Sequence, residues 1–345
     1  MNLTLLYATF LALLAPQEDS LHIGLLIPDP HAGQVVEAAQ KAIDHANQSG
    51  SYGDRPFKLI VRSTEGFWGA GSKESVSLVY EDQVRAIVGS LDGRNAHLTE
   101  QVAAKSHLVY LETKATEPTL SQAYVPWFFR MVPNDDQQAR AILERIERQG
   151  GGSVAIWNQD QYDTGYAVKS FSKQAEAEYG SSPLILDADA DDLQITGLID
   201  KLKRSRTAHL IIPYYSSSVL ELTSAIKEHI PQIQLYGTLA FCGGLKKSDL
   251  TREVLQGTLL VHSYTSPNTL KQDADLYAMY AYDGILLILK TIQETGSDRA
   301  KIQKHLVSVS YADGLSGPIQ FDAMGNRTGH LRFVEITEGR LVAAD

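Results

Sequence analysis

Cysteine is nearly missing from this chain. Cys242 stands alone among 345 residues, which excludes an internal disulfide and a cysteine-rich zinc site. No histidine lies near enough in sequence to make Cys242 a catalytic dyad. The ten histidines are scattered, without an H-x-H or H-E-x-x-H pair, so no metal is expected. Positive charge is also short: 31 Lys and Arg face 41 Asp and Glu, a net charge of −10, with no basic run. That balance argues against a nucleic-acid partner. Long apolar runs are lacking too. Leu3–Ala15 is too short to span a bilayer and instead fits the core of a secretory leader over residues 1–20. The apolar centre of the long helix expected over Asp273–Glu294 is shorter still. Catalytic signatures are absent: Gly89–Gly93 has no serine where a nucleophile elbow needs one, and Gly243–Ser248 only echoes the composition of a phosphate loop. Asp187–Asp192 lacks the glycine and closing glutamate of a calcium loop and reads as a solvated acidic turn.

What the chain does have is a repeated strand, polar turn and helix. Leu21–Ile27, Phe57–Arg62, Arg85–Gly89 and Leu108–Leu111 are strand-like apolar runs. Between them, Gln34–Ser49, Ser72–Asp82 (with Ser72 as its cap) and Asn95–Lys105 carry helical spacing. After the apolar run Trp127–Val132 and a helix capped at Asn134 or Asp135, a second series begins. Its strands are Val154–Trp157, Leu184–Ala188, His209–Pro213, Gln234–Gly237 and Thr258–Val261. Helices are expected at Tyr166–Tyr179, Leu193–Arg204 and Val219–His229. The chain closes with short strands at Ser316–Asp322, Leu331–Ile336 and Arg340–Val342. This rhythm implies α/β architecture, with parallel sheets covered on both faces, and the length implies two halves. Open sheets of this kind bind ligands beyond the carboxyl ends of their strands. The turns Ser90–Arg94 and Glu112–Pro118 are therefore candidate walls of a small-molecule site. Aromatic residues in the loops, among them Trp68, Tyr162, Tyr214 and Phe241, are candidate contacts.

Seven segments in order then carry a family likeness: IGLLIP at 23–28, IVGSLDGRNA at 87–96, KATEPTL at 114–120, FFRMVPNDDQQA at 128–139, VAIWNQDQYDTGYA at 154–167, YAYDGILLI at 280–288 and GLSGPIQFDAMGNR at 314–327. Together they resemble the type I periplasmic solute-binding proteins of the leucine/isoleucine/valine-binding group. The resemblance implies two Rossmann-like α/β lobes with parallel sheets, joined by three crossovers, and ligand held in the cleft. Lobe one would be 21–133 plus 264–316, and lobe two 134–263 plus 317–345. It implies a non-enzymatic protein without cofactor, expected as a monomer in the periplasm or outside the cell. Such a protein hands a small ligand, amino acid-like or a small carboxylate, to the permease of an ABC importer. A ligand-sensing module of the same fold is the alternative. A related transcription repressor would need a DNA-binding segment ahead of Leu21, where only about twenty residues precede it.

The resemblance also places site residues. Gly93 falls where the group offers a serine to a ligand carboxylate, flanked by Arg94. Ala115 and Thr116 match the group's Ala-Thr turn, and Thr116 is the leading candidate. Tyr162 matches the aromatic that closes over the ligand, and Tyr214 or Tyr215 falls where another wall residue lies. The acid that meets a ligand ammonium is replaced by Leu239 or Phe241. Glu112 and Lys114 depart from the small residues usual before the Ala-Thr pair. Arg94 and Lys114 are candidate partners for an anionic ligand.

Overall fold

The computed structural model describes residues 20–30, 32–53, 55–159, 161–187, 195–264 and 275–344. The expected leader, except Ser20, and the acidic turn after Asp187 lie outside them.

Two sheets organise the chain. The first contains β1 (Leu21–Ile27), β2 (Phe57–Ser63), β3 (Ala86–Gly89), β4 (Val109–Glu112) and β5 (Phe128–Arg130), in the order β2-β1-β3-β4-β5. All its pairings are parallel. The central strands β3 and β4 are buried along their whole length, which accounts for their unbroken apolar runs. Helices α1 (Gly33–Gly50), α2 (Ala70–Tyr80), α3 (Gly93–Ser106) and α4 (Thr119–Gln122) connect them.

After α5 (Asp135–Arg148) comes the second sheet: β6 (Val154–Asn158), β7 (Leu184–Asp187), β8 (His209–Ile212), β9 (Gln234–Gly237) and β10 (Leu259–Val261), with the late strands β11 (Phe333–Thr337) and β12 (Arg340–Ala343). The order is β12-β11-β10-β9-β8-β6-β7, parallel except at β11 and β12. Its helices are α6 (Tyr162–Tyr179), α7 (Ile195–Arg204), α8 (Ser217–His229), α9 (Leu239–Gly244) and α10 (Lys247–Leu250). The long helix α11 (Leu276–Thr295) returns to pack on α1 and β3 of the first sheet, followed by α12 (Arg299–Val307). Burial on nearly every side explains why α11 is so apolar.

Helix ends follow local chemistry. Asn134 caps α5 in a reciprocal pair with Gln137, and Asp92 caps α3 through the Asn95 N–H. Gly180 ends α6 in the left-handed conformation, φ 68°. Three expectations need correction. Ser72 is not a cap: α2 starts at Ala70, after Gly69 turns the chain at φ 93°. The polar stretch before Tyr166 is already helical, because Gln161 is extended and Tyr162 opens α6 with Asp163 in its first turn, where the helix dipole favours a negative charge. Ser316–Asp322 is no continuous strand; only isolated bridges form there, Tyr311 with Ile319 and Phe321 with Arg327.

Three connections run between the sheets, and they meet at one side chain. Arg327 is fully buried. Its guanidinium donates to the carbonyls of Met131, Gly317 and Pro318 and to the Ser316 hydroxyl. It also lies 4.4 Å from the centroid of the Tyr264 ring. Met131 follows β5, Tyr264 follows β10, and Ser316–Pro318 precede β11, so one cation binds all three.

Candidate functional site

The turn that follows β3 meets the start of α6, which follows β6. From the first sheet, the β3–α3 turn brings Gly93 and Arg94, and the β4–α4 turn brings Lys114, Ala115, Thr116 and Glu117. Both turns hang on Glu112, which is the last residue of β4 and not part of the turn as expected. Its Oε1 accepts the N–H groups of Leu91, Lys114 and Ala115 at 3.1, 2.7 and 3.0 Å. The Tyr110 hydroxyl donates to Oε2. Gly89 leaves the room these groups need, since a Cβ there would stand 2.7 Å from Glu112 Oε2. Burial pushes the Glu112 carboxyl up, against the pull of its donors.

From the second sheet, α6 presents Tyr162 and Asp163. The Arg94 guanidinium lies 4.5 Å from the Tyr162 ring centroid. The Tyr162 and Tyr166 hydroxyls are 3.2 Å apart. The Gly93 N–H reaches Asp163 Oδ1 at 3.4 Å, a long contact that nevertheless brings the two lobes together. Lys114 Nζ sits 5.7 Å from the ring centroid of Tyr277 on α11, whose edge packs on Gly243 of α9.

The electrostatics are unbalanced toward negative charge. Burial, then Glu117 and Asp92, push the Asp163 carboxyl up to about 6. Glu117 is buried, and its Oε2 has no hydrogen-bond partner. Its other oxygen is 2.5 Å from His97 Nε2, while His97 Nδ1 is 3.3 Å from Glu100. Glu100 and Glu117 together raise His97 to about 9, so it is cationic at neutral pH. Thr116 is anchored through its backbone: its carbonyl accepts the Asp135 N–H at 2.8 Å, and burial raises the Asp135 carboxyl to about 7.

A carboxyl that titrates at about 6 when folded and near 3.9 when unfolded contributes stability fully below the unfolded value. That contribution is lost as pH rises through about 6. Between pH 4 and 7 the protein is therefore expected to lose about 2 kcal/mol relative to Asp163→Asn. Urea midpoints for both proteins at the two pH values measure it.

Of the residues expected from sequence, Gly93, Arg94, Lys114, Ala115, Thr116 and Tyr162 come together. Tyr214 is 39% exposed at the end of β8, its backbone held at both ends by the Gln159 amide. Trp68 is 74% exposed, in a loop tied to α3 through Asn95, which donates to the Phe67 carbonyl. Phe241 is not a wall residue: α9 turns its ring into the core, edge-on to Tyr215, with no exposure. Sequence reasoning missed Glu117 and Asp163, although each directly follows a residue it had chosen.

Two α/β lobes that face each other across such a cleft define a type I binding-protein fold. The chain belongs to the periplasmic binding protein family, whose model matches residues 29–340. Similar solved structures include an ABC transporter substrate-binding protein from Desulfitobacterium hafniense, at TM-score 0.81 and 18% identity, covering 94% of this chain and all of that one. A structure of such a protein from the same organism in complex with Leu matches at TM-score 0.80 and 17% identity, again over 94% of this chain and all of that one. A solute-binding protein of an ABC transporter from R. palustris in complex with benzoate matches at TM-score 0.76 and 16% identity, over 94% of this chain and 95% of that one. By sequence the chain is similar to glutamate receptor 3.4 of Arabidopsis thaliana, 24% identical across 91% of this chain. It spans only 38% of that receptor's length.

Proposed function

We propose that this protein captures a small polar solute, amino acid-like or a small carboxylate, between its lobes and is not an enzyme. The convergence of Gly93, Arg94, Lys114 and Thr116 from one lobe with Tyr162 from the other carries this reading. Donors and cations for an anionic group lie on one side, with an aromatic lid opposite. Hinge closure would run through 131–134, 262–264 and 316–327, favoured by the contacts that ligand adds in the closed state. The protein would work as a monomer outside the cytoplasm, residues 1–20 acting as its leader. The structural neighbours support delivery of the solute to the permease of an ABC importer. The plant receptor relatives favour a second reading, a sensing module that passes closure to a partner protein.

A thermal-shift screen over amino acids, amines, small carboxylates, amides and aromatics tests the solute reading. A true ligand at a hundred times its dissociation constant should add about 2.7 kcal/mol. Thr116→Ala and Tyr162→Ala are each expected to weaken binding about tenfold, roughly 1.4 kcal/mol, with the fold intact. Full affinity in both variants would place the site elsewhere.

A further inference from the structure

The cleft carries a negative pole that its own cations do not neutralise. Glu117, from the β4–α4 turn, and Asp163, from the first turn of α6, approach the same point from opposite lobes. A Cβ on Gly93 would stand 2.4 Å from Glu117 Oε2 and 3.0 Å from Asp163 Oδ1. The Glu117 side chain is 1% exposed, and Oε2 lacks any hydrogen-bond partner. His97 balances Glu117, but only from the far side, through the other oxygen. Arg94 is stacked on the Tyr162 ring and Lys114 lies over the Tyr277 ring; Lys114 acts on Asp163 only at a distance, and among the described residues neither cation forms an ion pair with Glu117 or Asp163. Asp92, the third acid of this end, is used in capping α3 through the Asn95 backbone and amide. A buried carboxylate oxygen left bare is costly, and a second carboxylate facing it adds repulsion. Something cationic must fill the gap when the lobes close at neutral pH.

Resting on the solute-binding reading above, we infer that the ligand carries a primary ammonium or a guanidinium group, and that Glu117 and Asp163 grip it from the two lobes. Among the described residues no group of three or more His, Cys, Asp and Glu is arranged to hold a metal ion, which favours an organic cation over a divalent one. The group would donate to Glu117 Oε2 and to Asp163 at once. This supplies the acceptor that the turn after β9, with its buried Leu239 and Phe241, does not provide. It also ties specificity to closure, since each lobe holds half of the cation's partners.

The test pairs each amine with its counterpart lacking nitrogen. L-leucine against 4-methylpentanoate, 4-(aminomethyl)benzoate against 4-methylbenzoate, and each amine that shifts the wild type in the wider screen against its own deaminated counterpart are measured by calorimetry at pH 7.5. The amine members are expected to bind at least tenfold more tightly than their partners. Glu117→Gln and Asp163→Asn, both near-isosteric, are each expected to weaken the amine at least tenfold and leave the deaminated partner within threefold. In the absence of ligand, Asp163→Asn should melt higher than wild type at pH 7.5, because the charge opposed to Glu117 is gone, whereas Glu117→Gln also loses the His97 pair and is read only by binding. Deaminated compounds that bind as well as amines would overturn the inference and leave the solute reading standing. Unchanged amine affinity in both variants, or an unliganded Asp163→Asn that melts no higher, would do the same. Silence across the whole screen would remove the solute reading, and this inference with it.

Discussion

Arg327→Ala is expected to lower the unfolding free energy by about 4 kcal/mol. The guanidinium is buried without a carboxylate in direct contact, and burial pushes its pKa down. It is held instead by three carbonyls, a hydroxyl and the faces of Tyr264 and Tyr280. Truncation leaves the Met131, Gly317 and Pro318 carbonyls short of a donor inside the protein, each worth about 1 kcal/mol or more, and opens a cavity besides. Lysine cannot substitute, because one ammonium lacks the planar fork that reaches carbonyls on separate segments; Arg327→Lys is expected to cost about 2 kcal/mol. Neighbouring contacts share the junction. Asp283 accepts the Leu315 and Ser316 N–H groups at 2.9 and 2.7 Å, and Tyr264 donates to the Arg327 carbonyl at 3.4 Å. Because the three connections converge here, the damage should reach the relation between lobes as well as stability. Urea unfolding gives the first number, and small-angle scattering of the folded variant gives the second. A loss below 1 kcal/mol would mean that the junction is held by its backbone alone.

The parallel sheets were legible because buried strands and amphipathic helices leave different periodicities, as in Leu21–Ile27 beside Gln34–Ser49. The return of α11 to the first sheet was not legible in periodicity and came only from the family likeness, which put 264–316 in lobe one. Its apolar residues show that it is buried, while the partner, α1, is chosen by tertiary packing that no local pattern records. The site was half legible for a similar reason. The turns after β3 and β4 could be placed from topology, and the family likeness named Gly93, Thr116 and Tyr162. Glu117 and Asp163 read in sequence as ordinary polar turn residues; only the approach of α6 to α3 makes them face each other. Phe241 read as a loop aromatic because a short helix and a loop look alike over six residues, whereas α9 buries its ring. Arg327 was hidden because a basic residue in a polar turn is normally solvated.

Glu112 gives the second large effect, and it changes how the departure from the family pattern is understood. An acid ahead of the Ala-Thr turn looks in sequence like a specificity residue. In the structure it has no exposure, and protein donors take both its oxygens. Three N–H donors and one hydroxyl on two oxygens suit a carboxylate. They come from both turns, so Glu112 fixes the spacing of the Gly93 turn against the Thr116 turn. Glu112→Ala strands all four donors in a dry interior and is expected to cost about 4 kcal/mol. Glu112→Gln keeps one carbonyl oxygen for the three N–H groups, and its amide can donate to the Tyr110 oxygen once that hydroxyl rotates; about 1 kcal/mol is expected. The two variants separate positioning from contact with ligand. If Glu112 only aligns the turns, Glu112→Gln should bind ligand within threefold of wild type, while the folded fraction of Glu112→Ala should bind at least tenfold more weakly. If instead Glu112 met the ligand directly, loss of its charge alone would abolish binding at unchanged stability. Chemical denaturation and calorimetry on the same preparations decide between these outcomes.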